Sequence, residues 1–202
     1  MKNIVITGAS RGIGRYLFEN LSKEYNVIGL SKNPDQKFNN KIFKCDISKI
    51  EEVEKTFDEI KNKYSKIYSL INCAGFLNSG QLVISNTENI IEMIDVNIKG
   101  TMFCTKKIIK LMLKNGSGRI INFSSIASFY PLKGDSVYSA TKGAINVFTK
   151  ALAKEVEKKN ITVNALAPGF VSTDMTSSMT LEQKNKIIDL QTSKKEVTFL
   201  EI

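Results

Sequence analysis

Short apolar runs with almost no polar alternation recur along this chain, each followed by a longer segment with apolar residues on one helical face. Residues 4–7 form the first run. After a glycine-rich turn comes a helical pattern carrying Ile13, Leu17, Phe18 and Leu21. Residues 27–30 and 42–45 read as further strands, and a charged helix over residues 50–64 places Val53, Phe57 and Ile60 on one face. Residues 68–72, 119–124 and 161–165 are strand-like. Residues 90–113 and 137–158 are helical, the first with a break expected near residues 97–100. Strands that are apolar on both faces must be covered on both, so the pattern predicts an α/β protein: a parallel sheet with helices on each side. The 202 residues contain no repeat, low-complexity tract or linker, and residues 1–202 are expected to form a single domain.

Charge narrows the partners. The formal net charge is +9, but the cations are nearly all lysines spread singly or in pairs; the arginines are Arg11, Arg15 and Arg119. No basic run interleaves with aromatic residues, so a solvated lysine surface fits better than a nucleic-acid face. Such a surface also suits anionic small molecules or an acidic carrier protein. No apolar run approaches a membrane span, and the N-terminus enters a strand without a signal-peptide pattern, so the expected location is the cytoplasm. Cys45, Cys73 and Cys104 fit no zinc or redox spacing, and the chain has no histidine; no metal site is expected.

Two local patterns carry chemistry. In "TGASRGIG", Gly8, Gly12 and Gly14 lie between the first strand and the first helix, where glycines let a backbone turn sharply and the helix N-terminus can face an anion. In "YSATK", Tyr138 and Lys142 are four positions apart, on one face of a helix. An ammonium about 4 Å from a phenolic oxygen favours the phenolate by roughly 4 kcal/mol at an effective dielectric near 20. After solvent losses, the expectation is a tyrosine pKa lowered by about two units, towards the range of an acid–base catalyst. Either pattern alone also fits a plain glycine turn or a surface Tyr and Lys.

Taken in order along the chain, these motifs resemble those of the short-chain dehydrogenases/reductases. "TGASRGIG" is similar to the cofactor loop (Gly8, Ser10, Arg11, Gly12, Ile13, Gly14). "CD" with the next residue (Asp46, Ile47) is similar to the adenine contact, and "NCAG" (Asn72, Ala74, Gly75) to the family's N-N-A-G. "VNIKG" carries the family Asn at Asn97, "INFSS" the Ser and "YSATK" the Tyr and Lys. "PGFVST" (Pro168, Gly169, Val171, Thr173) matches the loop at the nicotinamide end. The resemblance implies a Rossmann-like doubly wound parallel sheet and hydride transfer between a nicotinamide and a carbonyl carbon. Tyr138 would be the general acid. Lys142 would tune it and hold the ribose hydroxyls, Ser125 would hydrogen-bond the carbonyl oxygen, and Asn97 would hold a water that replenishes the proton. Ser125 is chosen over its neighbour Ser124 because it lies thirteen residues before Tyr138. Tyr138 and Lys142 would also contact the cofactor.

The resemblance also bears on cofactor and substrate. Ser31 occupies the place where NAD-preferring relatives carry an acid, and Lys32 follows it; with Arg11 and Ser10 this favours NADP(H) over NAD(H). Phe76, Leu77, Phe129, Tyr130, Phe170 and Met175 are candidates for an apolar substrate pocket, and equally for core or subunit contacts. The pattern is most similar to 3-oxoacyl-acyl-carrier-protein reductases of fatty-acid synthesis, which implies a small-molecule or carrier-linked carbonyl substrate and a homo-oligomer, dimer or tetramer. Of the two positions that usually carry carrier-docking bases, one is Lys159 and the other is Gly116. A sugar, polyol or other ketone reductase, or a non-catalytic nucleotide-binding protein, stay open as alternatives. Cys73 replaces the second Asn of N-N-A-G, expected near the adenosine side. The last residues, "EVTFLEI", fall where relatives begin another helix before a last strand, so the sheet is expected to lack that helix and strand. The strand at residues 161–165 would then be an edge.

Overall fold

A computed structural model describes residues 1–34 and 41–202. Among the described residues, six parallel strands form one sheet in the order β3-β2-β1-β4-β5-β6. They are β1 (Asn3–Thr7), β2 (Asn26–Ser31), β3 (Ile42–Lys44), β4 (Ser69–Asn72), β5 (Gly118–Phe123) and β6 (Ile161–Leu166). The helices are α1 (Gly12–Leu21), α2 (Ile50–Lys63), α3 (Thr87–Ile94), α4 (Thr101–Asn115), α5 (Ser136–Val156) and α6 (Leu181–Leu190). This is the expected Rossmann-like doubly wound architecture.

The apolar runs are continuous because the central strands are covered on both faces. On one face Val5, Leu30 and Leu70 pack with Val53, Phe57 and Ile60 of α2, Cys104, Ile108 and Met112 of α4, and Leu152 of α5. On the other, Ile4, Ile6, Ile71 and Phe123 pack with Phe18, Ile13 and Leu17 of α1; Ile202 joins this side, and Phe199 stacks on Tyr16 with ring centroids 5.3 Å apart. Asn72 and Asn122 are register partners on β4 and β5. The Asn72 amide donates to Asn122 Oδ1 (2.8 Å) and Thr105 Oγ1 (3.0 Å), and Asn122 donates to Thr149 Oγ1 (2.9 Å). A buried polar row thus ties β4 and β5 to α4 and α5. Among the described residues β6 is a sheet edge, with Ile161 and Val163 buried and residues 164–166 exposed.

The break expected within residues 90–113 is a wide π-helical turn, Asp95–Gly100, between α3 and α4. Such turns interrupt the α-helical ladder and often mark functional positions. The helix also starts earlier than the apolar pattern indicates. Asn86 caps it by accepting the Glu88 N–H at 2.7 Å, a polar signal that precedes the first apolar residue.

Candidate active site

A cleft of about 520 Å³ opens at the carboxyl ends of the strands. It lies where the sheet order reverses, with β1 between β2 and β4, the place where open α/β sheets form a crevice. Its floor is set by two touching loops. Gly8, at φ +75°, follows β1, and a Cβ there would stand 2.8 Å from the backbone of Ala74 after β4. Thr7 Oγ1 accepts the N–H groups of Cys73 and Ala74, each at 3.1 Å, and locks the loops together. α1 begins at Gly12 directly after this turn, so its N-terminal N–H groups border the cleft and suit an anion.

Ser125, Tyr138 and Lys142 converge on one side of the cleft. Ser124 and Ser125 separate cleanly. Ser124 donates to the Lys142 carbonyl at 3.1 Å and is spent on holding α5, whereas Ser125 hydrogen-bonds Tyr138 and accepts the Ala127 N–H at 3.2 Å. Lys142 is 4% exposed; its ammonium donates to the Phe123 carbonyl at 2.8 Å and lies 5.8 Å from the Tyr138 ring centre. It also lies 3.5 Å from the point a Cβ on Gly75 would occupy, so Gly75 leaves the front of the ammonium open.

The expected lowering of the tyrosine pKa is reversed. Burial pushes Tyr138 up to about 12; the Ser125 hydrogen bond opposes this and Asp135 adds to it. Burial pushes Lys142 down to about 8. Desolvation outweighs the attraction expected from helical spacing, because the lysine points at a carbonyl rather than at the phenolic oxygen. Asn97 is bound into the scaffold. Its Oδ1 accepts the Phe76 N–H at 2.8 Å, and its amide donates to the Phe76 carbonyl (2.9 Å) and Thr141 Oγ1 (3.0 Å). The side chain ties the π-turn to the loop after β4 and to α5, and both of its amide protons are used in doing so. Cys73, expected near the adenosine side, instead lies close enough to Tyr138 and Lys142 for charge coupling, and burial raises its own pKa to about 12.

At the other end, Ser31 donates to Ser10 Oγ at 2.8 Å and joins the end of β2 to the glycine loop. Lys32 Nζ is 3.3 Å from Asp46 Oδ2 and 3.5 Å from Glu92 Oε1. Asp46 also accepts the N–H (3.1 Å) and O–H (2.7 Å) of Ser48, and its carboxyl stays below the usual range although burial opposes this. Ser10, Arg11, Gly12, Ile13, Gly14, Ser31, Lys32, Asp46 and Ile47 all line the cleft. Asn72 does not: its amide faces the polar row beneath the sheet, so its place is in the scaffold rather than against a ligand.

Ala74, Gly75, Pro168, Gly169, Val171 and Thr173 complete the lining at the Tyr138 end. Gln191, just after α6, holds this last loop by accepting the Phe170 N–H, and Val197 donates to the Phe170 carbonyl at 2.8 Å. Phe76, Leu77, Tyr130, Phe170 and Met175 reach the cleft, while Phe129 is 61% exposed and does not. The motifs do not point to Gln191, Glu92 or Asp135. Asp135 had a signal, three residues ahead of Tyr138 at the start of α5; Glu92 and Gln191 reach the site only through tertiary packing. The cleft can therefore seat an extended anionic ligand along the glycine loop and present an apolar-walled, proton-donating end to a second molecule.

Comparison with known proteins points the same way. The family model described as short chain dehydrogenase matches residues 2–184. The chain is 38% identical over 197 residues to carbonyl reductase family member 4 of Xenopus laevis, an alignment covering 94% of this chain and 84% of that protein. It is 35% identical over 198 residues to 3-oxoacyl-acyl-carrier-protein reductase of Homo sapiens, with the same coverage of each. Among solved structures, ElxO with NADP bound superposes with a TM-score of 0.86 at 31% identity, covering 98% of this chain and 87% of that one.

Proposed function

Because this chain belongs to the short-chain dehydrogenase family and is an NAD(P)-dependent oxidoreductase, we propose that it uses NADPH to reduce a carbonyl to a hydroxyl, the substrate being a 3-oxoacyl thioester of fatty-acid synthesis. The observation that carries this reading is the cluster of Ser125, Tyr138 and Lys142 beside a glycine loop that opens a helix. The residues present suit a nicotinamide dinucleotide. The N-terminus of α1 would hold its pyrophosphate, Asp46 and Ile47 its adenine, Lys32 and Arg11 a 2′-phosphate, and Lys142 the nicotinamide ribose hydroxyls. When bound, that cofactor supplies the hydride.

The chain's own residues manage the proton. Tyr138, protonated at neutral pH as any phenol is and held so more firmly by burial, donates its phenolic proton to the carbonyl oxygen as negative charge gathers there. Ser125 donates a hydrogen bond to the same oxygen. Asn97 acts as a positioning residue, since it fixes the loop that carries Gly75 and Phe76. The 202 residues work as one domain.

The lysine-rich surface, with Lys159 exposed, supports an acidic carrier protein as the bearer of the thioester. Gly116 lacks the second docking base, and that observation favours a second reading, reduction of a small free ketone. We also propose a homo-oligomer, formed across the faces of α4 and α5. Leu113 of α4 (44%) and Val147 of α5 (68%) are exposed there, and an apolar groove between α3, the π-turn and the start of α5 is lined by Leu82, Ile94, Ile98 and Val137.

NADPH oxidation measured with acetoacetyl-CoA beside a panel of ketones, sugars and polyols tests the reading. Preferred turnover of acetoacetyl-CoA is expected. Faster turnover of a free ketone would replace the thioester, and NADPH binding without turnover of anything in the panel would make the chain a nucleotide-binding protein.

A further inference from the structure

The adenosine end of the cleft has an electrostatic arrangement that the motifs do not contain. Lys32 leaves the end of β2 with its ammonium between two carboxylates, 3.3 Å from Asp46 and 3.5 Å from Glu92. The two acids are not equivalent. Asp46 is nearly buried, its side chain 9% exposed, and is pinned by both hydrogen bonds from Ser48. Glu92 stands on α3 across the cleft; its side chain is 41% exposed, and among the described residues Lys32 is the cation it faces. Both Lys32 and Glu92 line the cleft, so their contact spans its mouth from β2 to α3.

We propose that Glu92 is a specificity-determining residue: a displaceable counter-ion that competes with a 2′-phosphate for Lys32 and so moderates the preference for NADPH over NADH. The inference rests on the assignment of Lys32 to the 2′-phosphate. A phosphate arriving at Lys32 meets an ammonium already neutralised by two carboxylates. It must displace Glu92, the more exposed of the two, because Asp46 is pinned by Ser48, and it then lies beside a like charge. A cofactor without the 2′-phosphate leaves the Lys32–Glu92 contact in place. Glu92 therefore weakens NADPH selectively, through both competition and repulsion. Asp46 heads the causes that raise the Lys32 pKa and Glu92 adds to them, as three interacting charges require.

Calorimetric titration of the full chain with 2′,5′-ADP and with 5′-AMP tests this without involving the nicotinamide end. Glu92→Gln keeps the shape and removes the charge. Its Kd for 2′,5′-ADP should fall about fivefold, the size of one partly exposed charge contact, while that for 5′-AMP changes less than about twofold. NADPH and NADH should follow the same pattern. Equal effects on both ligands, or weaker binding of 2′,5′-ADP, would overturn the inference, the latter by making Glu92 a support for Lys32 rather than a competitor. The wild-type ratio of the two affinities tests the NADPH reading separately. A wild type that prefers 5′-AMP refutes that reading whatever the variant does, and a wild type that prefers 2′,5′-ADP with a neutral Glu92→Gln refutes the inference alone.

Discussion

At the scale of residues, one buried pocket moves Tyr138 and Lys142 in opposite directions, the phenol up to about 12 and the ammonium down to about 8. The lysine's folded pKa lies below its unfolded value of 10.5, so at neutral pH its charge opposes folding. Between about pH 8 and 10 the folded lysine is already neutral while the unfolded one still binds its proton. Burial also raises the thiol pKa values of Cys45, Cys73 and Cys104 above 9.0, so above about pH 9 these lower stability as pH rises. The lysine's own contribution rises across that window by up to about 3 kcal/mol, the free energy that separates its two pKa values. Above about pH 10 the tyrosine acts the other way, because only the unfolded phenol ionises there. Denaturant unfolding of the ligand-free protein from pH 7 to 10 checks this by difference: Lys142→Met should be more stable than wild type at pH 7, and wild type should gain on it as pH rises, while the thiols move both proteins alike. Parallel pH profiles for the two proteins would show that Lys142 carries no buried charge at neutral pH. Much at this scale was legible in the sequence. The thirteen-residue spacing selected Ser125, and the structure gives Ser124 a different task, tethering α5. The direction of the Tyr138 shift was not legible, because spacing along a helix says nothing of how deeply both side chains are buried or where the ammonium points. Asn72 misled for a related reason: a motif position does not reveal which side of the strand its side chain takes.

At the scale of elements, the strands were readable because parallel strands covered on both faces are apolar throughout, and their expected positions fall within a residue or two of those observed. The expected break in the long helix turned out to be the wide turn that carries Asn97. That residue is 1% exposed and makes three hydrogen bonds joining the π-turn, the loop after β4 and α5. Asn97→Ala would leave part-buried backbone groups of Phe76 and the buried Thr141 hydroxyl without this partner, costs that reach about 1–3 kcal/mol where water cannot enter. We expect a loss of about 2–4 kcal/mol in denaturant unfolding, with turnover falling more than cofactor affinity. Unchanged stability would mean that solvent replaces the amide at no cost. The start of α3 and the whole of α6 lay beyond the apolar pattern. α3 begins at a polar cap, and α6 has no buried residue to impose a periodicity on the sequence.

At the scale of the whole molecule, Leu113 on α4 and Val147 on α5 are exposed, on the two helices proposed to meet a second copy of the chain. Val147→Glu should shift the protein towards monomer in sedimentation velocity while leaving its circular dichroism unchanged; an unaltered sedimentation profile would place the contact elsewhere. The central claim, that this fold brings together a cofactor cleft and a single proton donor, is tested most directly by Tyr138→Phe. NADPH affinity and acetoacetyl-CoA turnover should be measured on the same preparation. The substitution keeps the ring and removes the phenolic proton, so NADPH should bind within about twofold of wild type while turnover falls by about 10²–10⁴, the usual range for a lost general acid. Near-normal turnover with intact NADPH binding would contradict the claim, because the proton would then have to come from another group.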